Sequence, residues 1–174
     1  MQKQMEVIRA DFAKENLPQI RMRIGVHGGS AVLGNLGSAK RLSYTAVGDD
    51  VNTAARLEGI NKLYGTGIMV SGVTARQIEG RIALRPVDRV IVKGKSQAVD
   101  VFTPCDDPAV VDLTVQAIRL YRNREWDAAE ARFRELLATG PEDGIGKLYL
   151  DRIAAFRIAA PPATWDGAVE LEKL

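Results

Sequence analysis

The stretch that decides the fold is SYTAVGDDVNTAARLEG, which runs from Ser43 to Gly59. An acidic Gly-Asp-Asp turn leads into a short helix, and Asp49 or Asp50 can cap that helix because a carboxylate accepts hydrogen bonds from its free N–H groups. At about 100° per residue, Asn52 and Arg56 lie on one side of the helix, one turn apart. Arginine suits phosphate oxygens and asparagine can hold a ribose oxygen, although such a pair is also typical of a solvated helix face.

The residues before this stretch predict a helix and a strand. Apolar residues at helical spacing indicate a helix that ends near Leu17-Pro18, and the alternating IRMRIGVHGG predicts a half-buried strand. We expect SAVLGNLGS to be the hairpin partner of that strand, and RLSYTAVGDD to be a loop. His27 is the only histidine, and a histidine beside glycines is more often structural than catalytic.

After the central helix, which we expect over residues 51–63, short strands and helices alternate. TGIMVSG predicts a buried strand, VTARQIEG a short helix, and IALRPVDRVIVKGK with AVDVFTP two more strands joined by a Gly-Lys turn. Lys93 and Lys95 in that turn can reach a phosphate as point charges, or they can simply keep a hairpin tip soluble. The mixed order of elements predicts an α+β fold with helices packed on a sheet.

The composition changes at Pro104, and the sequence after it predicts helices. Asp106 or Asp107 caps the first helix with Pro108 in its first turn, and further helices follow at about 127–138 and 145–159. The pattern AIRLYRNREWDAAEARFRELLATGPED has the spacing of a tetratricopeptide repeat. Because one repeat cannot bury a solenoid core alone, we expect residues 105–174 to pack on residues 1–104 as a C-terminal extension.

Composition and charge exclude several classes of protein. The chain has 174 residues, of which 46% are hydrophobic and 26% charged, near the average for a globular protein. A net charge of +2 does not favour nucleic acid or an anionic membrane as a partner. A single cysteine cannot form an intrachain disulfide, and no apolar run is long enough to span a membrane. We therefore expect a cytoplasmic protein with no nucleic-acid partner and no membrane segment.

Three segments taken in order strongly resemble the second half of the catalytic domain of class III nucleotide cyclases: RMRIGVHGGSAVLGNLGS, RLSYTAVGDDVNTAARLEG and VIVKGKSQAVDVF. The resemblance covers residues 1–104, and the tail is similar to the extension of many bacterial members. It implies a partial ferredoxin-like cyclase sheet with packed helices, followed by an α-helical tetratricopeptide-like tail. It also implies an adenylate or guanylate cyclase, with the adenylate type expected, that converts ATP or GTP to a 3′,5′-cyclic nucleotide and pyrophosphate.

The resemblance implies roles for four residues of this chain. Thr45 matches the base-selecting position, where adenine-specific members carry Asp or Thr. Asn52 matches the asparagine that orients the ribose, and Arg56 matches the arginine that stabilises phosphate charge as the ring closes. Lys93 matches the lysine that binds the terminal phosphates. The implied catalytic residues are thus Arg56 and Asn52, and the implied substrate-binding residues are Thr45 and Lys93.

The sequence also departs from the family pattern. The two aspartate motifs that bind Mg²⁺ or Mn²⁺ in family members are absent from these residues, as is the lysine that reads adenine, and His27-Gly28 replaces the usual His-Thr. Asp49 and Asp50 are a poor substitute, because sequence neighbours at a helix start rarely face one ion. The metal is therefore implied by the family, and we expect no ligands for it in this chain.

The resemblance implies a dimeric site. Family members work as head-to-tail dimers, with the metal aspartates from one subunit and the Asn–Arg helix from the other. We expect a second copy or a complementary cyclase half as the partner, and we expect the chain to be inactive by itself. The alternative is a non-catalytic, cyclase-like regulatory or interaction protein that uses its helical tail. A plain tetratricopeptide scaffold would need at least two more repeats.

Overall fold

The computed structural model describes residues 2–38, 41–92 and 97–171. The helices in this part of the chain are α1 (Gln2–Lys14), α2 (Asp49–Tyr64), α3 (Gly72–Gln77), α4 (Pro108–Arg122), α5 (Trp126–Thr139) and α6 (Gly144–Ile158). The strands are β1 (Ile24–Val26), β2 (Val32–Ser38), β3 (Arg41–Val47), β4 (Ile68–Ser71), β5 (Leu84–Val92), β6 (Val99–Pro104) and β7 (Val169–Leu171). None of these described helices has both the length and the apolar character needed to cross a membrane.

A five-stranded mixed sheet forms the centre of the described chain, in the order β1-β4-β6-β5-β7. β1 pairs with β4 in parallel, and β6 lies antiparallel between β4 and β5. β7, from the far end of the chain, joins the edge of β5 in parallel. The α+β class that the mixed order of elements predicts is confirmed.

Two predictions about the region after β1 are wrong. SAVLGNLGS does not pair with the preceding strand, and RLSYTAVGDD is not a loop, because β2 and β3 pair with each other as a separate antiparallel hairpin. The physical reason lies in residues 27–30. The backbone N–H of Gly28 donates to Thr74 at the start of α3, and the backbone N–H of Ser30 donates to Asp50 at the start of α2. These bonds lead the chain away from the sheet before β2 begins.

The β2–β3 hairpin exposes apolar side chains on both of its faces. Tyr44 is 72% exposed and Val32 is 69% exposed. The other large apolar side chains exposed here are Leu33, Leu36, Leu42 and Val47. Because monomeric proteins rarely expose large continuous apolar surface, a hairpin of this kind is typical of a contact with another chain.

One hydrophobic core joins the sheet, α2 and the three C-terminal helices. It includes Ile60 of α2, Val90 of β5, Phe133 of α5 and Ile153 of α6. Trp165 also contacts this region, with its ring centroid 5.3 Å from that of Tyr121. Residues after Pro104 therefore share a core with residues before it.

Local sequence signals determine several helix boundaries. Asp107 caps α4 by accepting from the N–H groups of Ala109 and Val110, with Pro108 in the first turn as predicted. Asp143 caps α6 by accepting from the N–H of Gly146 at 2.7 Å. These short-range contacts set where the C-terminal helices begin.

Candidate active site

Helix α2 carries both residues that the resemblance assigns to catalysis. The face that packs into the core consists of Thr53, Leu57, Ile60, Asn61 and Tyr64. Asn52 is exposed and Arg56 is partly exposed, and four residues separate them by about 6 Å along the helix axis. Because the buried face fixes the rotation of the helix, Asn52 and Arg56 lie together on one flank of the helix, outside the face that packs into the core.

The start of α2 is not capped as predicted. Gly48 is the N-cap residue and makes no side-chain capping bond, and Asp49 and Asp50 follow it in the first turn, where carboxylates suit the helix dipole. Asp50 Oδ2 instead accepts from the backbone N–H of Ser30 at 2.7 Å. Asp50 Oδ1 lies 3.1 Å from Nε2 of His27. Asp50 thus joins the loop after β1 to the start of α2.

His27 connects three elements of the fold. Its side chain is only 9% exposed, and its Nδ1 lies 2.8 Å from Oγ of Ser71, the residue that caps α3. Its other ring nitrogen faces Asp50 at the start of α2. With both ring nitrogens engaged and the ring largely buried, the geometry favours the structural interpretation of this histidine.

β1 lies directly against the middle of α2. A Cβ atom added at Gly25 would lie 2.1 Å from the carbonyl oxygen of Ala54 and 2.4 Å from the backbone nitrogen of Glu58. Only glycine allows two backbones to approach so closely. Gly25 therefore sets the distance between the sheet and the helix that carries Asn52 and Arg56.

The end of α2 is held by two buried polar residues. Asn61 Nδ2 donates to the carbonyl of Ile24 at 3.1 Å, and Tyr64 Oη donates to the carboxylate of Asp88 on β5. Burial, and then the Asp88 charge, raise the pKa of Tyr64 well above its usual value. Asp88 could have been suspected from the sequence, because it has the strand phase of the inward-facing Val90.

The structure describes Thr45, one of the two predicted substrate-binding residues, but not Lys93, the other. Thr45 is exposed on β3 opposite Gly34 of β2, and Gly48 alone separates the end of β3 from α2. Lys93 lies outside the described residues. The structure therefore places Asn52 and Arg56 on one helix face, with Thr45 on the strand that leads into that helix.

Arg56 differs from several other arginines because its guanidinium has no partner among the described residues. Arg23 pairs with Glu58, and Arg85 pairs with Asp143. Across the described residues, Arg56 has neither a hydrogen bond nor an ion pair to its side chain. A guanidinium in this state can form bidentate hydrogen bonds with an anion such as a phosphate.

The described residues do not fit the Mg²⁺ or Mn²⁺ that the resemblance implies. In residues 2–38, 41–92 and 97–171, no three His, Cys, Asp or Glu side chains come together as a possible metal site. The carboxylate of Asp50 is engaged by His27 and Ser30.

Comparison with known proteins identifies the family of residues 1–103. The family model described as "Adenylate and Guanylate cyclase catalytic domain" matches residues 1–103. Adenylate cyclase 1 of Rhizobium meliloti (strain 1021) is 40% identical over 102 residues, which cover 59% of this chain and 15% of that protein. The terminal-differentiation specific adenylate cyclase of Dictyostelium discoideum is 30% identical over 141 residues, covering 74% of this chain and 7% of that protein. This chain thus spans less than a fifth of the length of these curated relatives.

Two solved cyclase structures are also similar to this chain. The adenylyl cyclase CyaB from P. aeruginosa matches with a TM-score of 0.54 at 31% identity, covering 60% of this chain and 53% of that one. The guanylyl cyclase Cya2 matches with a TM-score of 0.51 at 28% identity, covering 57% of this chain and 50% of that one. The family model alone accounts for more than half of the chain. The chain belongs to the class III nucleotide cyclases, the family of adenylate and guanylate cyclase catalytic domains.

Proposed function

We propose that this chain supplies one half of a nucleotide cyclase site of the adenylate type, completed by a second cyclase chain. In the reaction, the ribose 3′-hydroxyl of ATP gives up its proton to solvent, its oxygen bonds to the α-phosphorus, and the bond from that phosphorus to pyrophosphate breaks. The observation that carries the proposal is the shared outward face of Asn52 and Arg56 on α2, with the Arg56 guanidinium unpaired among the described residues.

Each residue has a physical task in this proposal. Arg56 donates hydrogen bonds to phosphate oxygens as negative charge builds on the leaving pyrophosphate, and the rigid support of α2 means that its position needs little reorganisation. Asn52 holds the ribose so that its 3′-oxygen faces the α-phosphorus. Thr45 contacts the base, and Lys93, outside the described residues, binds the terminal phosphates.

A second chain is part of the proposal for two reasons. The described residues lack a ligand set for the divalent metal that the family uses, so the metal would be held by the partner. The β2–β3 hairpin, which leads directly into α2, exposes apolar side chains that suit a protein contact. Thr45 lies on this same hairpin, so the base pocket would form next to the contact.

We also propose that residues 105–174 form a tetratricopeptide-like extension of the cyclase segment 1–104. Two observations support this division. The family model ends at residue 103, and α4 packs against α5 with the small Ala129 fully buried between helices. Because the two segments share one core, the extension would stabilise the cyclase segment as well as continue it.

A complementation assay tests the proposed function. The 174-residue chain is mixed with the catalytic domain of CyaB in which the arginine that matches Arg56 has been changed to alanine. Cyclic AMP and cyclic GMP are measured with ATP or GTP in the presence of Mn²⁺. We expect cyclic nucleotide only when both chains are present, and more from ATP than from GTP.

Two variants of this chain control the assay. Arg56→Ala should remove the restored activity, whereas Arg81→Ala, at an exposed position outside α2, should leave it unchanged. If the two chains co-sediment but make neither product, the proposed activity is wrong and the non-catalytic alternative gains support. If they do not associate at all, the proposed composite site is wrong.

A further inference from the structure

The carboxylate of Asp88 on β5 bonds to side chains of two helices, α2 and α6. Asp88 lies on β5 and is 2% exposed. Its carboxylate accepts a hydrogen bond from Tyr64 of α2, and its Oδ1 lies 2.9 Å from Oη of Tyr149 in α6. Arg152 of α6 pairs with its Oδ2, and the backbone N–H of Arg89 donates to Oδ1. A single buried carboxylate therefore connects α2, α6 and the sheet.

Arg152 strengthens the connection between the two helices. Its Nη2 lies 3.2 Å from Oη of Tyr64, and its guanidinium lies 5.8 Å from the ring centroid of Tyr64 and 5.4 Å from that of Tyr149. Burial, and then Asp88, raise the pKa of both tyrosines, so both hydroxyls keep the proton that they donate.

The backbones of α2 and α6 are in direct contact beside this network. A Cβ atom added at Gly144, the first residue of α6, would lie 2.5 Å from the carbonyl oxygen of Tyr64. The residue before it, Asp143, caps α6 and also pairs with Arg85 of β5. The start of α6 is therefore attached to the sheet through Asp143 and lies directly against the last residue of α2, so a shift of α6 toward α2 would displace the end of α2.

Tyr64 and Arg56 belong to the same helix, about 12 Å apart along its axis. A helix moves largely as one body, so a shift at Tyr64 also moves Arg56. We propose that Tyr64 and Asp88 are positioning residues for the nucleotide site on α2, with the carboxylate of Asp88 held in place by Arg152 of α6. The proposal rests on the function proposed above, and it concerns how the site is held rather than which reaction it performs.

Two matched variants test this proposal. Tyr64→Phe removes the hydroxyl that connects α2 to Asp88 and keeps the buried ring. Tyr149→Phe removes an equally buried hydroxyl on the α6 side, which bonds the same carboxylate and also the carbonyl oxygen of Val87 at 3.1 Å, and it leaves the Tyr64 bond intact. Turnover and KM are measured in the complementation assay, and hydrogen–deuterium exchange of residues 52–63 is measured in the chain by itself.

We expect Tyr64→Phe to lower kcat by about tenfold with KM unchanged, and to raise amide exchange over residues 52–63. Tyr149→Phe should leave both quantities within about twofold of the wild type. Equal effects of the two variants on exchange, or no effect of either, would overturn the proposal. If Tyr64→Phe alone raises exchange while the wild-type chain restores no activity, the positioning of α2 is supported and the proposed function fails.

Discussion

The close contact between β1 and α2 gives the sharpest prediction about stability. In Gly25→Ala, the new Cβ atom would meet the carbonyl oxygen of Ala54 at 2.1 Å and the nitrogen of Glu58 at 2.4 Å. Ordinary contacts lie near 3.5 Å, so the helix and the strand must separate by about 1 Å. Neither neighbour can rotate away, because both atoms belong to the backbone of a helix.

The cost of this separation follows from known packing energies. Forcing one methyl group into a packed core typically costs about 1–3 kcal/mol, and alanine regains about 0.5–1 kcal/mol over glycine within a strand. Because the new atom meets helix backbone that cannot rotate away, the upper end of the packing cost applies, and about 3 kcal/mol less the regain leaves Gly25→Ala with a free energy of unfolding lower by about 2 kcal/mol. The helix that carries Arg56 would also be displaced by about 1 Å, which can lower kcat by about 100-fold.

Urea unfolding, followed by tryptophan fluorescence and far-UV circular dichroism, measures the stability change. The matched control is Gly140→Ala, where the new Cβ atom would meet its nearest neighbour, Leu136 O, at an ordinary 3.8 Å. We expect the control to stay within about 0.5 kcal/mol of the wild type. If Gly25→Ala is as stable as the control, β1 does not pack on α2 as described here.

Burial raises the pKa of three tyrosines: Tyr64, Tyr121 and Tyr149. The unfolded chain loses these three protons near pH 10, whereas the folded chain keeps them, so the free energy of unfolding should be constant below pH 10 and should fall by about 4 kcal/mol per pH unit above it. A free energy of unfolding that stays constant up to pH 12 would contradict this prediction. Arg85→Met should lower the free energy of unfolding by about 3–5 kcal/mol, because the Arg85 side chain is only 8% exposed and its loss leaves Asp143 without this partner. Arg132→Met breaks an exposed ion pair and should lower it by less than about 1 kcal/mol, so equal urea midpoints for the two variants would contradict the prediction. The exposed hairpin predicts that the chain self-associates in sedimentation velocity and that Tyr44→Asp reduces the association, and a wild-type monomer at all concentrations would contradict it.

Sequence reasoning succeeded where the signal is local. Asp107 and Pro108 mark the start of α4 as predicted. The motif around Asn52 and Arg56 also located the helix that carries the candidate site, within two residues of its observed bounds. Caps and helical spacing act over a few residues, so the sequence by itself contains enough information to predict them.

The errors arose where distant residues decide the structure. The pairing of β2 depends on contacts of the loop after β1 with α2 and α3, and these contacts cannot be seen in the spacing of apolar residues. For the same reason Asp50 bonds to His27 and Ser30 instead of capping its own helix. Asp88 bonds to Tyr64, Tyr149 and Arg152, which lie 24, 61 and 64 residues away in the sequence, so no local pattern predicts these contacts.

The kinetics of Arg56→Ala in the complementation assay test the central claim most directly. Arg56 is proposed to contact the phosphates chiefly as negative charge develops, so its loss should lower kcat by about 100- to 1,000-fold and leave KM for ATP within about threefold. Arg81→Ala, measured in parallel, should change neither quantity. A rise in KM with kcat unchanged, or no change in either, would contradict the assignment of Arg56 to the transition state.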